Sequence, residues 1–402
     1  MNPIYLDNAA STRVSDEVYA LITEVTRTAW GNPSSQHPQG AAARAYLEAA
    51  RERLLAALAD RGPGLGAGGP DGGPGLSSAM PSEARRIGGK GDVVWTSGCS
   101  EANALAVLGA ARVHRGTIVL STLEHPAIGT LGDTLAAEGR DVIRIAPGPD
   151  GVLDADLVGD AATGAAVVSI VMVQNEIGVV QPIAAITAAI RKRSPDCHIH
   201  IDGAQALGKV PIDVTALGID SLSIAGHKLH GPKGCGVLWL RRGARIEPLW
   251  KGGGQQRGLR GGTQDAASAA GLGLAAERAV AALTTARTRW LELAARVTSV
   301  LVPATYRQLV PDHRRAPHIL ALAVPGIPAE ALRNILSSRG VYISTGSACA
   351  DGDAKPSVAL TAIGLPQDAG MVRLSFGLDT TYEEVDEAAK ILATVIRELK
   401  KA

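Results

Sequence analysis

The chain has 402 residues, 46% of them hydrophobic but only 3% aromatic, so its core must be built from Ala, Val, Leu and Ile and can fill two or three domains. Forty basic side chains nearly cancel 39 acidic ones, leaving a net charge of +1 and no overall electrostatic case for a nucleic-acid or membrane partner. No apolar run is long enough to span a bilayer, and Met1-Asn2-Pro3-Ile4-Tyr5-Leu6-Asp7 has neither a basic n-region nor an apolar h-region. A cytoplasmic location is expected.

In chain order, residues 1–14 are extended and carry Asp7-Asn8-Ala9-Ala10-Ser11-Thr12. Helical spacing covers Asp16–Arg27, Gly31-Asn32-Pro33-Ser34-Ser35 forms a loop, and Gln39–Leu58 is an Ala-rich helix. The stretch Gly62–Gly91 is dense in Gly and Pro and cannot bury enough apolar surface to order itself. It reads as a mobile surface insertion, because the strand–helix pattern continues after it. The predicted strands are Asp92–Ser97, Thr117–Thr122, Asp141–Ala146, Ala165–Asn175, His198–Asp202, Ser221–Ala225 and Gly236–Leu240. Several are continuous Val/Ile/Leu runs, as in strands buried on both faces of a mainly parallel sheet. Helices such as Glu101–His114 and Ile183–Arg193 fall between them. The pattern predicts an α/β fold whose large domain, 15–263, is a doubly wound seven-stranded sheet. After Gly252-Gly253-Gly254 come one long helix over Asp265–Val302, strands His318–Val324, Val341–Ser344 and Met371–Phe376, and helices Ala329–Ser338 and Thr381–Lys400. These predict a smaller α+β domain formed by 264–402 together with 1–14.

In such sheets ligands bind at the carboxyl ends of the strands. There the sequence places Ser97-Gly98-Cys99-Ser100, Glu124-His125, Asn175-Glu176, Asp202-Gly203-Ala204-Gln205 and His227-Lys228. Lys228 ends a strand and is boxed by Gly226, Gly231 and Gly234. A lysine amine that loses hydration in a pocket becomes a nucleophile for carbonyls, although a plain loop lysine fits the same position. Gly98-Cys99-Ser100 at a helix start offers backbone N–H groups to a phosphate, or is simply an N-cap. Asp202 ends an apolar strand interrupted only by histidines and needs a cationic partner, unless it caps a turn. Together, a phosphate cradle, a carboxylate for a ring nitrogen, a flat His125 and an amine are the parts that hold pyridoxal 5′-phosphate. The four cysteines, Cys99, Cys197, Cys235 and Cys349, include no CxxC pair, which argues against a zinc site. Cys349 lies in a polar, glycine-bearing loop, Thr345–Asp353, suited to a moving carrier; the other three are read as structural.

The chain resembles the cysteine desulfurases of the fold-type I, class V aminotransferase superfamily along almost its full length. The resemblance rests on Tyr5-Leu6-Asp7-Asn8-Ala9-Ala10, Gly31-Asn32-Pro33-Ser34-Ser35, Thr96-Ser97-Gly98, Glu124-His125, Asn175-Glu176-Ile177-Gly178, Asp202-Gly203-Ala204-Gln205, Gly226-His227-Lys228, Arg260-Gly261-Gly262-Thr263, Gly346-Ser347-Ala348-Cys349 and Arg373-Leu374-Ser375, in that order. It implies that Lys228 bonds the cofactor and moves protons, that Asp202 pairs with the ring nitrogen, that Gln205 meets the ring hydroxyl and that His125 stacks on the ring and accepts a proton. Gly98, Cys99, Ser100 and His227 would hold the phosphate, with Thr263 reaching that of the partner in a homodimer. Asn175 would serve the cofactor and, with Arg373 and Asn8, the substrate. Cys349 would take sulfur from L-cysteine as a persulfide and pass it to an acceptor protein.

Three departures stand out: Ala225 where the family usually has serine, Ser100 for threonine and Gln256 for glutamate. A lost hydrogen bond to a charged group, worth roughly 1.5–3 kcal/mol, would weaken phosphate binding. The alternatives are a selenocysteine lyase, another C–S lyase independent of the thiol, or a non-catalytic sulfur-transfer scaffold. Iron–sulfur clusters, thiolated tRNA, cofactor synthesis and DNA phosphorothioation are all open destinations for the sulfur.

Overall fold

A computed structural model of the chain describes residues 3–58, 91–346, 357–365 and 370–401. Cys349 and, apart from Gly91, the expected insertion Gly62–Gly91 lie outside the described residues. The strands are β1 (Ile4–Tyr5), β2 (Gly91–Thr96), β3 (Thr117–Ser121), β4 (Val142–Ile145), β5 (Ala165–Val171), β6 (His198–Asp202), β7 (Ser221–Ala225), β8 (Gly236–Arg241), β9 (Arg307–Gln308), β10 (Ile319–Val324), β11 (Val341–Tyr342) and β12 (Gly370–Ser375). The helices are α1 (Asp16–Thr28), α2 (Pro38–Leu58), α3 (Cys99–Val113), α4 (Pro126–Ala137), α5 (Ala155–Ala161), α6 (Ile183–Arg193), α7 (Ala266–Ala281), α8 (Leu283–Val300), α9 (Ala329–Ser338), α10 (Val358–Ala362) and α11 (Tyr382–Leu399).

Seven strands form one sheet in the order β2-β8-β7-β6-β5-β3-β4. β8 runs antiparallel to β2 and β7, and the remaining pairs are parallel. β2, β3, β5, β6 and β7 therefore end on the same edge of the sheet, which is why their following loops can share one cavity. β5, β6 and β7 are buried along their whole length, β5 as its Val/Ile-rich sequence requires, β6 and β7 with polar side chains among the apolar ones. The strand expected through Asn175 stops at Val171, and Val173 instead bridges to Val180, so Asn175 sits in the turn between them.

A second core gathers β1, β10, β12, α8, α9 and α11 around Leu6, Trp290, Leu322, Phe376 and Leu392. The helix expected over 265–302 is two helices bent by 70° at Ala282. The bend lets α7 bury its small-residue face (Ala269, Ala270, Ala276) in the sheet's core while α8 packs on the second core. Among the described residues no single helix is long and apolar enough to cross a membrane.

The turn after β2 depends on a close backbone approach. Gly236 pairs with Thr96, and a Cβ there would lie 2.5 Å from the Gly98 carbonyl carbon and 2.9 Å from the Cys99 nitrogen. Gly236→Ala should cost roughly 1–3 kcal/mol through overpacking and displacement of this turn. The measurement is the thermal midpoint; an unchanged value would show that the two backbones are not packed together.

Candidate active site

A cavity of about 550 Å³ opens at the carboxyl ends of these strands. It is lined by the expected Gly98, Cys99, Ser100, His125, Asn175, Asp202, Gln205, His227, Lys228 and Arg373. Two expected residues stand apart. The Asn8 amide is turned away, donating to the carbonyls of Ser375 at 3.0 Å and Tyr5 at 3.4 Å, and does not line this cavity. Thr263 is exposed and does not line it either.

Helix α3 brings its N-terminus to the cavity. Its N-cap, Gly98, makes no side-chain cap, and a Cβ added there would meet nothing within 4 Å, so the backbone faces open space. Glu101 reaches back to accept the Ser97 N–H at 2.6 Å and is itself ion-paired with Arg260 at 3.0 Å. The turn is thus held from below while its N–H end stays open to an anion.

Asp202 ends β6 and is 3% exposed. Its Oδ1 accepts the Ala204 N–H at 2.9 Å and faces the Cys99 thiol at 3.7 Å, and its Oδ2 accepts Asn103 Nδ2 at 2.9 Å. A carboxylate has about four acceptor sites, so one is left for the cavity that Asp202 lines.

His125 is the N-cap of α4, and its Nδ1 accepts the Ala127 N–H at 3.1 Å. Burial lowers its pKa; Asp202 opposes this and Lys228 adds to it. The neutral ring therefore carries its proton on Nε2. The expected proton acceptor is in this state a donor, because its bare nitrogen is already taken by the backbone.

Lys228 closes a 3₁₀ turn that directly follows β7. Two of the glycines around it serve the chain's own close packing: a Cβ on Gly226 would lie 2.8 Å from the carbonyl oxygens of Pro232 and Cys235, and one on Gly231 2.9 Å from the Gly226 carbonyl oxygen. The N-terminal segment clamps this turn. Thr12 donates from its N–H (2.8 Å) and its hydroxyl (2.9 Å) to the His227 carbonyl, and its Oγ1 accepts the His230 N–H at 2.8 Å. His230 holds φ of 60°, a left-handed conformation fixed by ring contacts to the Arg13 carbonyl (2.9 Å) and the Leu378 N–H (3.1 Å).

Gln205 is oriented by three partners. Its Nε2 donates to the Ala9 carbonyl at 2.7 Å, and its Oε1 faces Lys209 Nζ at 3.2 Å and His318 Nε2 at 3.3 Å. The second Nε2 hydrogen is left for the cavity. Arg373, 3% exposed, donates to the Asn175 carbonyl at 2.7 Å and pairs with Asp7 at 2.5 Å, and its Nε has no protein partner. Arg373 lines the cavity, and the guanidinium it brings there suits a carboxylate. Sequence reasoning missed Asn103, Glu101–Arg260 and Lys209, whose amine burial pushes well below its usual range, with Lys228 adding to the effect.

The family model described as aminotransferase class-V matches residues 84–388. The chain is 35% identical over its whole length to a cysteine desulfurase NifS from Azotobacter vinelandii, covering 94% of that protein. A solved NifS-like protein superposes with a TM-score of 0.84 at 29% identity, with both chains fully covered. A structure titled SspA in complex with cysteine superposes with a TM-score of 0.73 at 29% identity, covering 92% of this chain and 98% of that one. The chain belongs to the class-V aminotransferase family, on its cysteine desulfurase branch.

Burial sets a pH dependence of stability. It lowers the pKa of His198 to about 4, His200 to about 3 and His227 to about 4, and shifts His125, His230 and His318 the same way from 6.5. The unfolded chain binds more protons than the folded one below about pH 6.5, so this stability is complete above that pH and is lost as pH falls towards 4. Glu124 and Glu176, which burial shifts upward, act in the opposite sense. With six groups against two, the urea midpoint should be lower at pH 5.5 than at pH 7.5. A flat or rising midpoint would mean that the histidines are not held neutral.

Proposed function

We propose that the chain is a pyridoxal 5′-phosphate-dependent cysteine desulfurase that converts L-cysteine to L-alanine and passes the sulfur, as a persulfide on Cys349, to an acceptor protein. The observation that carries this reading is the convergence of Lys228, Asp202, His125 and Arg373 on one cavity. The residues fit the cofactor. The open backbone at Gly98 suits a phosphate, the spare acceptor site of Asp202 suits a protonated ring nitrogen, and the free N–H of Gln205 suits the ring hydroxyl. When bound, the cofactor supplies an electron-withdrawing ring that loosens bonds around the α-carbon of an amino acid.

The chain's own residues do the rest. Arg373, fixed by Asp7 and Asn175, orients the substrate carboxylate. Lys228 Nζ would hold the cofactor and, once released from it, take a proton from or give one to the substrate carbon. His125 begins with its proton on Nε2 and becomes an acceptor only after giving that proton away. Sulfur transfer balances without an external oxidant: the substrate C–S bond breaks, an S–S bond to Cys349 forms, and the carbon fragment leaves as alanine. Thr263, exposed in the single chain, would serve the second site of a homodimer. The enzyme works in the cytoplasm, where its thiols stay reduced.

Lys228→Ala should abolish turnover and the visible absorption of the bound cofactor; retained activity in the purified variant would overturn the cofactor assignment. Cys349→Ser, mixed rapidly with cysteine, should still perturb the cofactor spectrum but form no persulfide and release alanine at well under a tenth of the wild-type rate. Normal alanine release would move the enzyme to the thiol-independent C–S lyases.

A further inference from the structure

Behind the cavity a second polar structure runs through the interior of the sheet. β6 reads His198-Ile199-His200-Ile201-Asp202, and all five residues are buried. Side chains alternate along a strand, so the two isoleucines join the apolar core while His198, His200 and Asp202 share the opposite face. Pairing with β7 sets Ser221 opposite His200. Helix α3 supplies Asn103, one turn after Cys99, so both side chains face Asp202.

The direction of each hydrogen bond in this cluster is forced. Asn103 Nδ2 donates to Asp202 Oδ2 at 2.9 Å, because the opposite amide orientation would set oxygen against oxygen. Asn103 Oδ1 then faces His200 Nε2 at 3.0 Å and can only accept, so Nε2 carries the hydrogen. Burial, with His198 adding to it, lowers the His200 pKa to about 3, so the ring is neutral and its Nδ1 is bare. Ser221 lies 2.9 Å from that Nδ1 and must donate to it. The Ser221 oxygen, 2.9 Å from His198 Nε2, then accepts from it. Four hydrogen bonds point the same way, from His198 through Ser221, His200 and Asn103 to Asp202, and each polarises the next.

We propose that Asn103, His200, Ser221 and His198 are positioning residues: a one-way donor chain that fixes the rotamer of Asp202 so that its remaining acceptor site stays turned to the cavity. An apolar layer would fill the same space, so the chain serves orientation rather than packing. The role of Asp202 towards the cofactor rests on the function proposed above; the donor chain itself does not.

The first test needs no cofactor. In cofactor-free protein labelled with ¹⁵N-histidine, long-range NMR should show His198 and His200 protonated at Nε2 and bare at Nδ1, unchanged from pH 8.5 to 5.5. A proton on His200 Nδ1, or titration of that ring within the range, overturns the proposal. The second test uses the loaded enzyme. Asn103→Leu should lower kcat roughly tenfold while leaving KM for cysteine within about twofold, and should shift the pH titration of the cofactor's visible band. Ser221→Ala, a smaller change two links further from Asp202, should move kcat and the band in the same direction by about twofold to threefold, and it decides the matter if Asn103→Leu does not fold. Unchanged kcat and spectrum in either folded variant, or a loss of activity that only tracks the folded fraction, overturns the proposal. Absence of a visible band or of turnover in the wild type would instead defeat the functional reading and leave the NMR result standing.

Discussion

A carboxylate at the end of an interior strand must be met by donors from every side, and much of the site follows from this requirement at Asp202. One donor is backbone, Ala204; one belongs to α3, Asn103; and the Cys99 thiol lies against the same group. To bring Cys99 and Asn103 onto Asp202, α3 must begin at Cys99 with Gly98 as its N-cap, and Gly98 can sit there only because Gly236 has no side chain. The helix N-terminus open to an anion and the carboxylate open to a ring nitrogen are thus set at a fixed separation by a single helix.

The N-terminal segment carries the other constraint. Ile4 and Leu6 are buried in the second core, Asp7 pairs with Arg373, and Thr12 grips the carbonyl of His227 beside Lys228. The six residues Asp7–Thr12 therefore connect the guanidinium suited to a substrate carboxylate with the turn that presents the amine. His230 adds a cross-link from the lysine turn to both Arg13 and Leu378. A shift of the second core relative to the sheet would be felt at Arg373 and Lys228 together.

The strands and their order of function were legible in the sequence because buried parallel strands leave long Val/Ile runs and their polar residues collect at the ends. The lysine, the aspartate and the arginine were legible through motif order. The break at Ala282 was not, because Ala and Leu on both sides favour helix equally; what bends the chain is which core each half packs against. The turn-away of Asn8 was not legible either, since it depends on Ser375, 367 residues along the chain. The donor chain had a visible trace: His-Ile-His-Ile-Asp alternates polar and apolar with period two in a fully buried strand. Its partners, Asn103 and Ser221, come from separate elements and needed the fold. Gln256 is explained by structure alone. Its Oε1 accepts the Trp95 N–H at 2.5 Å and its Nε2 donates to the Trp95 carbonyl at 2.9 Å, so it completes the edge strand β2. A glutamate could accept there but, ionised, could not donate.

The same environment bears on which thiol can react. Only a thiolate attacks sulfur, so a desulfurase with several cysteines must keep the others protonated. Burial pushes Cys197 and Cys235 up to about 12, with no contribution needed from the active site. Cys99 is the harder case, because it lines the cavity itself. Burial raises its pKa well above the usual range, and the negative charge of Asp202 against its Sγ adds to that shift. The carboxylate suited to a ring nitrogen therefore also silences the thiol next to it. Three thiols are thus suppressed as competitors for sulfur, and the suppression at Cys99 depends on Asp202 staying in place against its Sγ.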